Sequence, residues 1–474
     1  MKGGGNMVTE LPILLDRSTG EPLTAQLSRA LRAAILDGRI ARDEALPGSR
    51  ALARTLGVSR GTVVTAYEQL LGEGYLSAHP RRGTVAALEL PADAGAGPAA
   101  GTDRPASGPV PEIWADLAPG HPSTRGLADP AWKAAWREAA AQAGNAWMPP
   151  AAGTPELRAA IAGHLRRARG LDCGPDDVVV TAGTSDALLL LALALKPADR
   201  PLRIAVEDPG YAAARRVLRT AGAHVQPVPA TADGMDPDLL RALDPVPDAV
   251  LATPSHQYPL GGRMGVQARV DMLAWAAGHG TVVIEDDYDS EFRHARQPLP
   301  AMASLGAAGT TVLVGSFSKT LTPWLRCGYL VATGPAGEAV RRTRTALDSP
   351  VSGVQQQALA HYIDSGALAR HTARTRREYA HRRSLVLAKL GKLPGVALGA
   401  LDGGLHATVR FDQPAAPVIE AAAREGILVA ALADYAAAGE PANGLVIGYG
   451  APTDLALSRA LGRIAELIAG AGEG

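Results

Sequence analysis

Along residues 23–38, LTAQLSRALRAAILDG, apolar side chains fall at Leu27, Leu31, Ile35 and Leu36. That spacing gathers one face of an α-helix, and Gly38 is placed to end it. Two shorter helical patterns follow. LPGSRALARTLG predicts a helix capped by Ser49 and closed by Gly57, and VSRGTVVTAYEQLLGEG predicts another capped by Ser59. Short helices joined by a three- or four-residue turn containing glycine make a helix-turn-helix. YLSAHPRRGTVAAL then reads as two strands about a Pro-Arg-Arg-Gly turn, a hairpin wing.

The pattern breaks at Leu90, where PADAGAGPAAGTDRPASGPVPE is nearly all Pro, Gly, Ala and small polar residues. Such a stretch has no apolar face to bury and reads as a linker. From Asp116 onward, apolar runs (DVVVTAG, RIAVEDPG, AVLATPS, TVVIEDD, TVLVGSF) alternate with alanine-rich helical stretches. Uniformly apolar, β-branched strands between helices predict a parallel sheet covered on both faces, with ligands at the carboxyl ends of the strands. After about Thr345 the chain turns helical and arginine-rich, then returns to the strand-like GGLHATVRF and GLVIGYG, which predicts a smaller C-terminal subdomain. The expected organisation is an α/β protein with a small domain over 17–90, a flexible linker over 91–115 and a large domain over 116–474. The arginines between Arg370 and Arg383 are expected to face solvent, with contact to nucleic acid as the alternative.

At 474 residues a division into domains is expected on length alone. Lys+Arg and Asp+Glu balance at 47 each, so net charge names no partner. Locally the picture differs: from Ser49 to Gly83 five arginines face only Glu68 and Glu73, a net charge of 5 − 2 = +3 that suits phosphates. The two cysteines, Cys173 and Cys327, lie in no metal or disulfide spacing, so no metal is expected. The longest apolar run, Ala187 to Leu195, is too short for a bilayer, and the N-terminus carries no secretion pattern; a cytoplasmic protein without a membrane segment is expected.

The chemistry concentrates at strand ends. In VGSFSKT, Lys319 follows an apolar strand among Ser316, Ser318 and Thr320. A lysine amine there can form a Schiff base while hydroxyls hold a phosphate, and Arg326 offers a fixed cation nearby. In VVIEDDYDSEF, Asp286 and Tyr288 have the spacing to face a pyridine nitrogen and a phenolic oxygen. The neighbouring Asp287, Asp289 and Glu291 are expected to be solvated or helix-capping. The turn after VVVTA puts the amides of Gly183, Thr184 and Ser185 at a helix start, a phosphate cradle. Tyr211 in VEDPGYAAAR can stack on a ring, and His256 in TPSHQYPLG is a candidate for the same site; alone, each reads as core.

LPGSRALARTLGVSRGTVVTAYEQLLGEGYL resembles the GntR family of winged helix-turn-helix regulators. The resemblance implies that Arg50, Ser59, Arg60, Thr62 and Tyr67 approach DNA and that Gly83 shapes the wing tip. The strand-end elements, in this order, resemble fold type I aminotransferases. That likeness implies pyridoxal phosphate held by Lys319 as the Schiff-base lysine, with Asp286, Tyr288 and Tyr211 about its ring, His256 near the ring substituents, and Gly183, Thr184, Ser185, Ser316, Ser318 and Arg326 around its phosphate. The two together resemble the MocR subfamily, which implies a PLP-dependent transcriptional regulator on a double-stranded DNA operator. It implies a homodimer, head-to-tail, answering to an amine, an amino acid or a vitamin B6 compound with little or no turnover. An active aminotransferase with an appended DNA-binding domain is the alternative.

Three departures bear on the effector. Met148 stands where relatives carry a tyrosine, Thr184-Ser185-Asp186 replace a usual pair of glutamines, and GLVIGYGAP lacks the arginine that clamps a substrate carboxylate. Arg410 and Arg215 are possible substitutes, read more simply as surface arginines. Pyridoxal phosphate itself then becomes a candidate signal, and vitamin B6 supply the process governed.

Overall fold

The computed structural model describes residues 13, 15–17, 19–37, 39–41, 43–73, 75–79, 83–87, 112–142, 147–294, 300–306, 309–438 and 442–470. The chain divides into two compact units, Met1–Val110 and Pro111–Gly474.

In the first unit the helices are α1 (Leu23–Leu36), α2 (Ser49–Leu56) and α3 (Arg60–Gly72), followed by the strands β1 (Leu76–His79) and β2 (Gly83–Ala86). The strands pair antiparallel, Leu76 opposite Ala86 and His79 opposite Gly83, and Ala45 bridges to Val85. Leu27, Leu31, Leu52, Val63, Leu70 and Leu76 meet in one core. Gly57 ends α2 in the left-handed conformation, φ 64°, which costs glycine little. Ser59 caps α3 by accepting from the Thr62 amide at 3.0 Å. Ser49, expected as a cap, is instead the first residue of α2, after Gly48. Tyr67 is also corrected: it is buried in the core and its hydroxyl donates to the Pro47 carbonyl at 2.7 Å, so it holds the approach to α2 and does not face DNA. The wing turn at Arg81 and Arg82, Gly38, and the linker up to 111 lie outside the described residues.

The second unit is built on an eight-stranded sheet. Its strands run, edge to edge, Val178–Thr181, Gly328–Ala332, Thr311–Ser316, Val282–Asp287, Ala249–Ala252, Arg203–Asp208, His224–Thr231 and Gly234–Met235. Gly328–Ala332 is antiparallel to both neighbours and Gly234–Met235 closes a hairpin; the remaining pairings are parallel. Alternate residues of one strand enter different cores, Val178 and Val180 one, Val179 the other, so both faces are covered and the run is apolar.

The C-terminal subdomain has its own antiparallel sheet, ordered Val396–Leu398, His406–Phe411, Leu445–Gly448, Ala430–Ala431, under the helices Ala367–Leu390, Ala415–Arg424 and Asp454–Gly470. Ala115–Asp116 pairs with Ile427–Leu428, so the start of this unit is bound into its end. Among the described residues no helix is long and apolar enough to cross a membrane.

Of the arginines expected to face solvent, Arg370, Arg374, Arg376 and Arg377 are exposed, but Arg382 is not. Arg382 is 1% exposed, pairs with Asp454 at 2.9 Å and with Glu378, and donates to the carbonyls of Tyr449 and Gly450. Arg374, Arg376 and Arg383 donate to the carbonyls of Gly126, Glu291 and Leu401. Removing the guanidinium leaves the buried carbonyls of Tyr449 and Gly450 and the partly buried Glu378 carboxylate without their donor. Arg382→Met is therefore expected to destabilise the protein by about 3 kcal/mol in chemical denaturation; a loss near zero would return the arginine to the surface.

Candidate functional site

Five parallel or adjoining strands end on one side of the large sheet, and the turns that follow enclose a cavity of about 340 Å³. Every residue expected at a cofactor lines it except Gly183 and His256: Lys319, Asp286, Tyr288, Tyr211, Thr184, Ser185, Ser316, Ser318 and Arg326 do. Gly183 lies just behind, with φ 86° and its Cα turned towards the Arg326 guanidinium, where a Cβ would stand 3.9 Å away. His256 is displaced one layer back, its Nδ1 2.8 Å from Asp289 Oδ2. It stands behind Tyr288, whose hydroxyl is 2.9 Å from the same Nδ1, and does not itself line the cavity.

Lys319 leaves the end of Thr311–Ser316 and points its Nζ at the Gly120 carbonyl, 2.6 Å away. Gly120, at φ +93°, is a close approach: a Cβ there would stand 2.8 Å from Nζ. Burial pushes the Lys319 amine below its ordinary value, with Asp289 and Asp286 opposing. Asp286 ends the adjacent strand, 4% exposed, and its Oδ1 has no hydrogen-bond partner among the described residues. Burial, with Asp287 adding and Lys319 opposing, pushes its carboxyl up to about 7. Glu207, also raised to about 7 by burial, accepts from the Thr253 hydroxyl at 2.5 Å and the Gln257 amide at 3.3 Å.

The acids flanking Asp286 are not solvated, contrary to expectation. Glu285 and Asp287 are buried against Arg169, at 3.5 and 2.7 Å. Glu291 lies 3.7 Å from His164, and Asp289 is buried beside His256.

At the other end of the cavity, Thr184 and Ser185 open the helix Thr184–Ala194, whose first-turn amides have no partner within the helix. Ser316 and Ser318 exchange a hydrogen bond of 2.9 Å, and Arg326 sits at φ 44°, a conformation that costs a non-glycine residue energy. Lys319 and Arg326 are the only lysine and arginine among the described lining residues; His121 and His406 are the histidines.

The proposed carboxylate clamps are absent from this lining. Arg410 is exposed, as expected of it. Arg215 is buried rather than superficial and donates to the carbonyls of Gly210 and Ala436. It is part of a seam in which Tyr435 O accepts from Gly210 N at 3.0 Å and Asp208 accepts from the amides of Ala437 and Ala438 at 2.7 and 2.9 Å. Met148 is exposed, outside the cavity. Sequence reasoning missed Tyr258 and His406. Tyr258 stands among Tyr211, Tyr288 and Tyr435, with ring centroids at 6.0, 5.6 and 5.3 Å, and lay inside the motif quoted for His256.

In the first unit, Arg50, Arg54 and Arg60 are exposed on α2 and the start of α3, and Gly83 is exposed at the start of β2. Arg60 Nε lies 3.5 Å from Ser49 Oγ. Ser59 and Thr62 share their hydroxyls at 2.9 Å within the cap.

Residues 23–85 match the gntR family of bacterial regulatory proteins, and residues 112–441 match aminotransferase class I and II. Over 98% of its length the chain is 41% identical to the HTH-type pyridoxine biosynthesis transcriptional regulator PdxR of Corynebacterium glutamicum, 99% of which is covered. It is 34% identical to the probable rhizopine catabolism regulatory protein MocR of Rhizobium meliloti, with 92% of each chain covered. Among solved structures, an archaeal alanine:glyoxylate aminotransferase superposes with a TM-score of 0.69 at 23% identity, over 75% of this chain and 91% of that one; the likeness is one of fold.

The unpartnered Asp286 generates a pH prediction. Its folded value lies above its unfolded one, so the protonated form folds at no penalty and the ionised form bears a cost that grows from about pH 4 and levels off above about pH 7. In the ligand-free protein, Asp286→Asn is expected to gain stability on the order of 2 kcal/mol at pH 8, an advantage that vanishes by about pH 4. Denaturant midpoints across that range check it; a variant less stable at pH 8 would show the carboxylate to be well paired.

Proposed function

The chain belongs to the MocR-type regulators of the GntR family, and from that premise we propose that its large unit binds pyridoxal phosphate and uses the occupancy of that cavity to set how the protein holds an operator. One observation carries this reading. A buried lysine, a buried aspartate with an oxygen unpartnered among the described residues, a helix start at Thr184 and Ser185, and Ser316, Ser318 and Arg326 line one cavity.

The residues fit the cofactor. Asp286 Oδ1 needs a proton donor and the pyridine nitrogen is one. The amides of Thr184 and Ser185, the hydroxyls of Ser316 and Ser318, and Arg326 suit a phosphate dianion. Tyr211 offers its ring to a face and Tyr288 its hydroxyl to the phenolic oxygen. Pyridoxal phosphate supplies an aldehyde for the lysine amine and a ring that withdraws electrons from it. Lys319 contributes a nucleophile that burial keeps less basic than a surface lysine. Asp286 holds a proton at the ring nitrogen, and the Gly120 carbonyl orients the amine before the cofactor arrives.

An amino-acid effector would bring a carboxylate into a wall of tyrosines, histidines and Thr253 with no spare arginine, so we take pyridoxal phosphate as the signal and genes of vitamin B6 supply as the target. The name of the 41% identical relative supports the same reading. Such a signal works by binding two arrangements of the DNA-binding domains unequally. A head-to-tail homodimer would present two copies of α3 to two half-sites. Lys319, Asp286 and Tyr288 standing together also favour a second reading, an aminotransferase with an appended DNA-binding domain.

Operator binding is the deciding measurement. Pyridoxal phosphate is expected to change the operator Kd of stripped protein by about tenfold, and Lys319→Ala to lose both that response and the visible absorbance of the bound cofactor. If amines or amino acids, and not pyridoxal phosphate, change the affinity, the effector is an amine; rapid conversion of the cofactor with no effect on DNA would make the protein an enzyme first. Arg60→Ala is expected to weaken operator binding by about 1–3 kcal/mol more than binding to random DNA. An equal loss on both would reduce Arg60 to a phosphate contact.

A further inference from the structure

Behind the cavity wall lie three side chains with nothing between them. The Tyr288 hydroxyl is 2.9 Å from His256 Nδ1 and 2.9 Å from the His256 carbonyl. The same Nδ1 is 2.8 Å from Asp289 Oδ2. His256 and Asp289 are 4% and 1% exposed, and neither lines the cavity. Tyr288 does, and it is the side chain that carries their hydrogen bonds to the wall.

An ionised carboxylate only accepts, so Asp289 keeps the His256 proton on Nδ1. That N–H also faces the tyrosine oxygen, while the His256 carbonyl accepts the tyrosine proton when nothing else does. One residue thus offers Tyr288 both a donor and an acceptor. The backbone packs closely on His256 and Asp289. Gly404, at φ +75°, packs its backbone onto the pair, and a Cβ there would stand 2.2 Å from His256 Cε1 and 2.5 Å from Asp289 Oδ2. His406, its ring 4.9 Å from that of His256, is held neutral by burial, with its Nε2 3.1 Å from the Pro259 carbonyl. His256 Nε2 has no partner among the described residues and faces Gly261.

We propose that Asp289 and His256 are positioning residues that act on the cofactor through Tyr288: Asp289 fixes the His256 tautomer, and the Nδ1–H steadies the tyrosine oxygen so that its own O–H is given to the phenolic oxygen of pyridoxal phosphate. This rests on the cofactor reading above. It explains why an acid three residues beyond Asp286 is buried without touching the cavity.

The relay and a plain charge effect differ in sign. Besides the relay, the titratable groups about Tyr288 are Lys319, Asp286, Glu207, Tyr258 and His406. A tyrosine that donates well stabilises the phenolate and so competes with a proton on the nitrogen joining Lys319 to the cofactor. Weakening the donor raises the pH at which that nitrogen deprotonates. Asp289 also acts on the Lys319 nitrogen directly, and losing that negative charge lowers the same midpoint.

The test is an absorbance titration of full-length protein loaded with pyridoxal phosphate, on wild type, Asp289→Asn, His256→Phe, the double variant and Tyr288→Phe. The expected result is a midpoint raised by about one unit in Asp289→Asn, the worth of roughly one hydrogen bond. In the His256→Phe background the same change should no longer raise it. A lowered midpoint in Asp289→Asn, or an equal shift in both backgrounds, overturns the relay. Should Asp289→Asn not fold, His256→Phe alone must move the midpoint in the direction of Tyr288→Phe, and an unmoved midpoint overturns it. Wild-type protein that shows no pH-dependent visible band sinks the cofactor reading instead, a distinguishable failure.

Discussion

The large unit is organised around a carboxylate that the fold buries and leaves unanswered. Asp286 sits near the end of a central strand; its side chain lines the cavity, and one buried oxygen has no partner among the described residues. A lone buried charge is costly, so the strand carrying it must be held by other means. Its two neighbours do this on the opposite face: Glu285 and Asp287 meet Arg169, itself fixed at the end of the helix Pro155–Arg169. The front of the strand is thereby free for chemistry while the back is locked. Lys319, brought alongside by the parallel pairing of Val314 with Asp286, opposes that charge, and it is engaged with Gly120.

Much of this was legible because it is local. A lysine three residues past an apolar strand, or an aspartate near a strand's end, can be placed at a sheet's carboxyl edge without knowing the rest of the chain. The errors came where direction or distance mattered. Tyr67 falls on the spacing Val63, Ala66, Tyr67, Leu70, a buried stripe that its motif context overrode. Arg382 likewise interrupts a core stripe with Tyr379, Val386 and Leu390, but its partner Asp454 lies on a helix far along the chain, and no local pattern could announce it. His256 and Tyr258 share one motif; which of them faces the cavity depends on how that loop lies against Gly404 and Tyr435, segments of the distant subdomain.

The cavity also explains why a regulator can retain an enzyme's fold. On the proposed reading, the lysine, the ring partner and the phosphate cradle that would hold the cofactor are all on the strand ends and the helix that follows. Turning over an amino acid needs in addition a fixed cation for the substrate. In this chain the arginines that might have served are spent on backbone carbonyls or face outwards. Binding and turnover are separable because they draw on different parts of the wall.

The seam between Asp208–Arg215 and residues 435–438 has a mechanical consequence. Tyr211 stands between Gly210 and Arg215, both tied to the backbone of the C-terminal subdomain. A tilt of that subdomain therefore pulls on the stretch that carries the aromatic wall, and whatever changes the spacing at that wall pushes back on the subdomain. The width of the cavity and the attitude of the C-terminal sheet are, in effect, one coordinate.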